Sequence, residues 1–212
     1  MTQYPPTLTQ FILQAEQEHP EATGDFTALM NAIALAGKLI SRETNRAGLV
    51  DILGNTGRTN ISGDEIQKLD QWSNDTMIRA LAPTGLVCAM ASEEMADPIT
   101  VTRHHGQGRY AVLFDPVDGS SNIDVGAPIG TIFSIYRRVT HAGPGGIEDL
   151  VQPGRNQVAA GYISYGSSTM FVYTTGRGVH CFTLDPSLGE FILSVKQMRF
   201  PEPARIYSVN EG

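Results

Sequence analysis

Cysteine is almost absent: Cys88 and Cys181 are the two in 212 residues, each inside an apolar run. Two such residues build no disulfide framework, so the expectation is a reduced, cytosolic protein with buried thiols. Charge is scarce as well, at 17% of residues, against roughly 25% in an ordinary soluble domain. The charge present leans acidic, with a net of −7. That argues against non-specific binding to nucleic acid or to an anionic membrane, since both require basic surface. No apolar run reaches the roughly 20 residues of a transmembrane helix. The start "MTQYPPTLTQFILQ" lacks the basic-then-apolar order of a signal peptide. Internal repeats and low-complexity tracts are also missing. A soluble intracellular protein with no nucleic-acid or membrane partner is expected.

Glycine, in contrast, is plentiful at 22 residues, and the chain is long enough to bury a sizeable core. Thr7 and Gln10 have capping-box spacing ahead of Leu8, Phe11 and Ile12, which predicts a helix ending before Pro20. In "ATGDFTALMNAIALAGKLISRE" Thr23 is the expected cap. Asp25 favours the first turn, and Phe26, Leu29, Met30 and Ile33 keep helical spacing. Ala47 to Glu65 carries several turn signals and no sustained period, and reads as a long mobile loop. Ile66 to Leu81 reads as a third helix. From Gly85 the pattern turns to strand: "GLVCAMAS", "RYAVLFD", "GTIFSIYRRV", "QVAAGYISYG", "TMFVYTT" and "GVHCFTLD". The connections look too short for crossover helices, so antiparallel pairing is expected. Helical sequence followed by strand-rich sequence predicts an α+β fold, a mostly antiparallel sheet flanked by helices. The final "GEFILSVKQMRFPEPARIYSVNEG" reads as a strand, a connector and a further strand. It suggests one domain over 1–200 and the start of a second at 201–212.

Chemistry concentrates in carboxylates. Asp64, Asp70, Glu93, Glu94, Asp115 and Asp118 fall within 55 positions. Asp115 and Asp118 follow the strand ending at Phe114, with Pro116 between them, in what reads as a turn where both side chains and the Val117 carbonyl can converge. Glu93 and Glu94 follow another strand and reach one site only if that strand ends or bulges there. Crowded carboxylates repel unless cations or protons intervene. An all-oxygen donor set without His or Cys suits Mg²⁺ or Mn²⁺. Gly119, Ser120 and Ser121 offer N–H groups and hydroxyls at a short helix start, where a phosphate can sit. Metal beside a phosphate nest points to phosphoryl transfer to water. Each fragment alone reads as readily as a plain turn or a solvated loop.

The strings "TNISGDEIQKLDQWSND", "SEE", "FDPVDGSSNIDVGAPIGTIFSIYR", "QPGRNQVAAGY", "LDPSLGEFIL" and "IYSVNEG" resemble class I fructose-1,6-bisphosphatase. That family lies in the Mg²⁺-dependent sugar phosphatase superfamily, with the inositol monophosphatases. The resemblance runs from about Thr7 to Gly212. It implies the layered sugar-phosphatase fold and hydrolysis of the 1-phosphate of fructose 1,6-bisphosphate, a gluconeogenic step. By it, Glu93, Asp115, Asp118 and the Val117 carbonyl hold catalytic Mg²⁺, and Asp64 joins a further metal when its loop closes. Glu94 with Asp70 activates the attacking water. Asp118, Gly119, Ser120 and Ser121 hold the cleaved phosphate, and Asn210 contacts the 6-phosphate.

The resemblance also implies allosteric inhibition by AMP and a homotetramer. Thr23, Gly24, Asp25, Phe26 and Thr27 match the family's AMP phosphate turn, where a helix start favours an anion. Arg109 and Tyr110 match a Lys-Tyr pair, with Arg109 keeping the charge but changing its geometry. Arg137 matches a family arginine. The segment "RRVTHAGPGGIEDLVQPG" carries no cysteine, so thioredoxin-type control is not expected. Members of the family continue well past position 212, which implies an allosteric N-terminal domain and the first step into a catalytic one. Sedoheptulose 1,7-bisphosphatase, an inositol-phosphate-type phosphatase and a non-catalytic AMP-binding fragment stand as alternatives. "TGDFT" and "YSVNEG" weigh against the inositol branch. His104 and His105 read as solvated, Met170 and Phe171 as core.

Overall fold

A computed structural model describes residues 4–18, 23–46, 55–59, 65–101, 108–141 and 143–203. Thr7 caps as its spacing predicts. Its hydroxyl accepts the Gln10 N–H at 3.2 Å, and its own N–H donates to Gln10 Oε1 at 3.0 Å. This reciprocal box starts α1 (Leu8–Glu16), which buries Leu8 and Ile12. The second helix, α2 (Asp25–Thr44), buries Leu29, Met30, Ile33, Ala36 and Ile40 along one stripe. Thr23 does not cap it. Gly24, at φ +77°, occupies the cap position, because a residue without Cβ enters the left-handed region cheaply. The cap thus falls one residue later, and the Thr23 hydroxyl instead accepts from Arg109 Nη1 at 3.2 Å.

The stretch expected to be a structureless loop contains β1 (Asn55–Thr59), paired antiparallel with β2 (Glu65–Gln67). Ile66 therefore belongs to a strand, and α3 (Lys68–Leu81) starts two residues later than its period suggests. Short polar strands carry no alternation strong enough to be read from sequence, since their pairing comes from the partner backbone.

The main sheet holds β3 (Val87–Ser92), β4 (Ile99–Thr100), β5 (Tyr110–Asp118), β6 (Ile129–Arg137), β7 (Gln157–Tyr165), β8 (Thr169–Thr174), β9 (Val179–Asp185) and β10 (Glu190–Val195). Between β6 and β7 lie a short helix, α4 (Ile147–Leu150), and a 3₁₀ turn, Gly154–Asn156. The strand order is β10-β9-β8-β7-β6-β5-β3-β4. Every pair is antiparallel except β3–β5, which runs parallel. The six strands of the expected meander stand where their patterns put them. The parallel pair and the two-residue β4 were not legible.

Alternation assigns the two faces. On β5, Tyr110, Val112 and Phe114 join the large core with α1, α2 and α3, while Ala111 faces the other side with Cys88, Ala89 and Leu150. A register shift between Val87 and Ala89 explains why consecutive Cys88 and Ala89 share that smaller cluster. Each fully buried Ile, Leu or Phe contributes roughly 1.5–3 kcal/mol, so the helix-covered face supplies most of the cohesion. Gly37 lets α2 close on the sheet: a Cβ there would collide with the Ile163 side chain. α1 lies over the far strands, with Phe11 4.7 Å from the His180 ring and 5.5 Å from Phe182. Cys88, Cys181 and Phe171 are buried as expected. Met170, expected in the core, is only half-buried, because neighbouring residues of β8 face opposite sides of the sheet. His104 and His105 lie outside the described residues. Among the described residues, no helix is long and apolar enough to cross a membrane.

Candidate functional site

Proline in a central strand removes a ladder donor, and the strand must accommodate the loss. β5 does so with a bulge rather than the expected turn. Asp115 pairs with Ile132 and Asp118 with Gly130, so three steps along β5 oppose two along β6. Residues three apart in a regular strand point to opposite faces; the extra residue returns Asp115 and Asp118 to the same one. The bulge is pinned from both sides. The Val117 N–H donates to Asp115 Oδ1 at 3.0 Å, and the Thr131 hydroxyl donates to the Pro116 carbonyl at 2.8 Å.

The parallel pair delivers the second acidic segment. Ser92 pairs with Phe114, so Glu93 and Asp115 are the next residues at one level of neighbouring strands. The Glu93 N–H still donates to the Phe114 carbonyl at 3.1 Å, and then the strand ends. The Glu94 N–H donates to Ser92 Oγ at 3.3 Å. Asp70, in the first turn of α3, is buried at 2% exposure. The carboxyl ends of parallel strands are where α/β sheets place their ligand sites.

These side chains sense each other. Burial pushes Glu94 up to about 8, helped by a hydrogen bond with Glu93 and by the charges of Asp70, Glu93 and Asp115. Burial also pushes Asp115 up to about 6, opposed by the Val117 N–H and aided by Glu93, Asp118 and Asp70. Glu94 Oε2 is buried with no hydrogen-bond partner among the described residues. All-oxygen donors crowded together suit a hard divalent cation. The carboxylates are neighbours rather than a finished cage: among the described residues, no three His, Cys, Asp or Glu side chains stand at metal-holding spacing. Like charges keep such groups apart. Asp64 and Asn210, both expected at this centre, lie outside the described residues.

The strain implies a measurable cost. Near neutral pH Glu94→Gln removes, at nearly constant shape, a carboxyl that burial and its acidic neighbours force to take up a proton on folding, and is expected to raise the melting temperature of the metal-free protein by about 2–4 °C. Calorimetric melting in a chelating buffer checks this, and a lowered melting temperature would count against like-charge crowding.

Gly119, at φ +80°, opens the 3₁₀ turn Ser120–Val125, as the short helix start required. Beside it lies an open hollow of about 420 Å³ lined by Asp118, Gly119, Asn122, Ile132, Tyr162 and Ser164 among others. Ile132 and Tyr162 pair across β6 and β7 and stand 46% and 43% exposed. Sequence reasoning missed this apolar wall. Its one signal is a large apolar residue at the outward position of each strand.

The second predicted cluster also assembles. Tyr110 pairs with Arg137, whose guanidinium lies over the Tyr110 ring at 4.9 Å. Phe26 reaches the same ring at 6.4 Å. Arg109 bridges Thr23 and the Asp25 carboxylate, both at 3.2 Å. The Thr27 N–H donates to Glu16 Oε1 at 3.3 Å, and Thr27 Oγ1 is buried with no partner among the described residues. Burial raises the Tyr110 hydroxyl, Arg137 opposing it. Thr23, Gly24, Asp25, Phe26, Thr27, Arg109, Tyr110 and Arg137 thus meet where the N-terminus of α2 approaches the start of β5. Glu16 was not foreseen there.

A layered α+β protein with an acidic centre at its strand ends is the class that this fold and site define. Residues 6–196 match the family described as Fructose-1-6-bisphosphatase, N-terminal domain. The chain belongs to that family. It is 55% identical over 207 residues to "Fructose-1,6-bisphosphatase class 1" of Maridesulfovibrio salexigens, covering 97% of this chain and 61% of the relative. It is 55% identical to the protein of the same name from Cytophaga hutchinsonii, covering 97% and 60%. Among solved structures, Leishmania major fructose-1,6-bisphosphatase in holo form superposes with a TM-score of 0.89 at 40% identity, over 99% of this chain and 64% of that one. The chain thus spans about three fifths of the length of the relatives it matches.

Proposed function

We propose that the chain carries the metal and phosphate part of a fructose-1,6-bisphosphatase active site, which hydrolyses the 1-phosphate of fructose 1,6-bisphosphate to fructose 6-phosphate. The observation that supports this best is the register that aligns Glu93 with Asp115 and turns Asp118 onto the face of Asp115, beside the Gly119 turn. Glu93, Asp115, Asp118 and the Val117 carbonyl are the residues that would hold Mg²⁺ or Mn²⁺, with Asp64 joining them. When bound, the cation supplies charge neutralisation at the phosphoryl group. Glu94, whose raised proton affinity suits a group that takes protons near neutral pH, accepts the proton of the attacking water, with Asp70 behind it. Gly119, Ser120 and Ser121 orient the departing phosphate, and Asn210 contacts the phosphate that stays.

The same reading makes the cluster at the start of α2 an AMP site, the helix N-terminus and Arg109 taking its phosphate. It divides the chain at about residue 200, with 201–212 opening a catalytic domain, and it expects a cytoplasmic homotetramer. Thr27→Ala is expected to weaken AMP binding about tenfold, since a buried hydroxyl without a partner is the natural donor to phosphate. Titration calorimetry with AMP reads the change, and an unaltered affinity removes Thr27 from the site. The deciding experiment for the whole reading is phosphate release from fructose 1,6-bisphosphate. It compares the chain with a polypeptide extended to the relatives' length, with and without Mg²⁺ and AMP. Release that ignores Mg²⁺ overturns the metal site. Preference for another phosphate ester overturns the substrate, and indifference to AMP overturns the second site.

A further inference from the structure

The start of α2 already holds an anion of the protein's own. A helix leaves its first N–H groups without partners and carries partial positive charge there. An N-cap side chain ordinarily accepts the N–H of the third helical residue, but the cap of α2 is Gly24, which has no side chain to offer. The third residue is Thr27, and its N–H donates instead to Glu16 Oε1 at 3.3 Å, from the last residue of α1. Asp25, in the same turn, occupies Arg109 at 3.2 Å. Thr27 is 5% exposed, yet its Oγ1 has no partner among the described residues. The turn therefore keeps one buried donor unused while a carboxylate covers its neighbour.

We infer that Glu16 is a built-in competitor for this anion site: the carboxylate occupies the Thr27 N–H in the free protein and must withdraw before a phosphate group can bind. This rests on the reading of the site as one for a nucleotide monophosphate. Two consequences separate it from an ordinary cap. Phosphate and Glu16 exclude one another, so removing the Glu16 charge tightens anion binding even though it deletes a native hydrogen bond. Because Glu16 ends α1, anion binding also loosens the last turn of α1 from α2.

Titration of the full chain and of Glu16→Gln with AMP and with inorganic phosphate tests the inference. Glu18→Gln is the control: it deletes the same charge two residues away, on an exposed side chain. The expected result is about a three- to tenfold tighter dissociation constant for both probes in Glu16→Gln, and none in Glu18→Gln. Hydrogen exchange at the amides of residues 13–17 should speed up when phosphate binds the unaltered chain. An unchanged or weaker affinity in Glu16→Gln, or an equal gain in Glu18→Gln, overturns the competition while leaving the anion site intact. If inorganic phosphate binds and AMP does not, the nucleotide reading falls and the inference is judged on phosphate alone. If neither probe binds either protein, both fall. Equal melting temperatures of the variants verify that folding is not the cause.

Discussion

On the proposed function, Asp118→Asn in a polypeptide extended to the relatives' length is expected to lower Mg²⁺-dependent phosphate release from fructose 1,6-bisphosphate by roughly a hundredfold or more, with little effect on folding. The two halves of that expectation have separate causes. Asp118 ends β5 on the far side of the Pro116 bulge and is exposed, so its amide replacement leaves packing alone and should move stability by under about 0.5 kcal/mol. Its charge is another matter. It stands with Asp115 on one face, at the mouth of the Gly119 turn, where cation and phosphate are proposed to meet. Asn keeps the shape and one oxygen but not the charge that offsets a divalent cation's desolvation. Initial rates over a Mg²⁺ series, alongside a melting curve, separate the two effects. Undiminished Mg²⁺-dependent release in a folded variant would sink the assignment of Asp118 to the metal.

Asp149→Ala should produce the largest loss of stability, about 3 kcal/mol or more, seen as a fall of roughly 6–12 °C in melting temperature. Asp149 is fully buried, yet its carboxylate accepts four hydrogen bonds. The Val139 and Thr140 N–H groups reach Oδ1 at 2.8 and 2.9 Å, and the Thr140 hydroxyl and Gly146 N–H reach Oδ2 at 2.8 and 3.0 Å. Burial raises its proton affinity, but these donors outweigh it and hold the carboxyl below its ordinary value. Alanine strands all four donors at once. Asn should recover about half the loss, because its carbonyl can still serve Val139 and Thr140 while its NH₂ cannot accept from Gly146. The sign of the pH dependence follows. A carboxyl depressed in the folded state stabilises it above the unfolded value, and that contribution fades as pH falls towards the folded one. Acid should therefore narrow the gap between Asp149→Ala and the unaltered chain. A gap that is constant with pH would mean that the ionised form is not what holds the connection from β6 to α4.

Much of this protein could be read from its residues alone. The Thr7 box, the apolar stripe of α2 and the strand patterns of β3 and of β5 to β10 are local signals, set by capping spacing and side-chain periods of 3.6 and 2, and they survive in the fold. The carboxylates could also be singled out as a chemical set, because residue type and spacing suffice for that, though Asp64 lies outside the described residues. The quoted strings carried the family, and the match over residues 6–196 upholds it. Thr23 as a cap failed because the cap depends on backbone angle, and Gly24 next to it adopts the left-handed turn more cheaply. β1 and β2 failed because short polar strands draw their pairing from a partner backbone.

The convergence itself belonged to tertiary structure. Whether Asp115 and Asp118 face the same way depends on how many residues of β6 they are counted against, and only the Asp115–Ile132 and Asp118–Gly130 pairings reveal the extra one. Glu93 comes level with Asp115 because β3 and β5 run parallel, a choice invisible in either strand alone. Arg137 reaches Tyr110 through the same ladder, and Glu16 reaches Thr27 through the packing of two helices. Residue type and local period are written in sequence; which side chains share a site is set by register and packing between segments, where each position is decided by its partner.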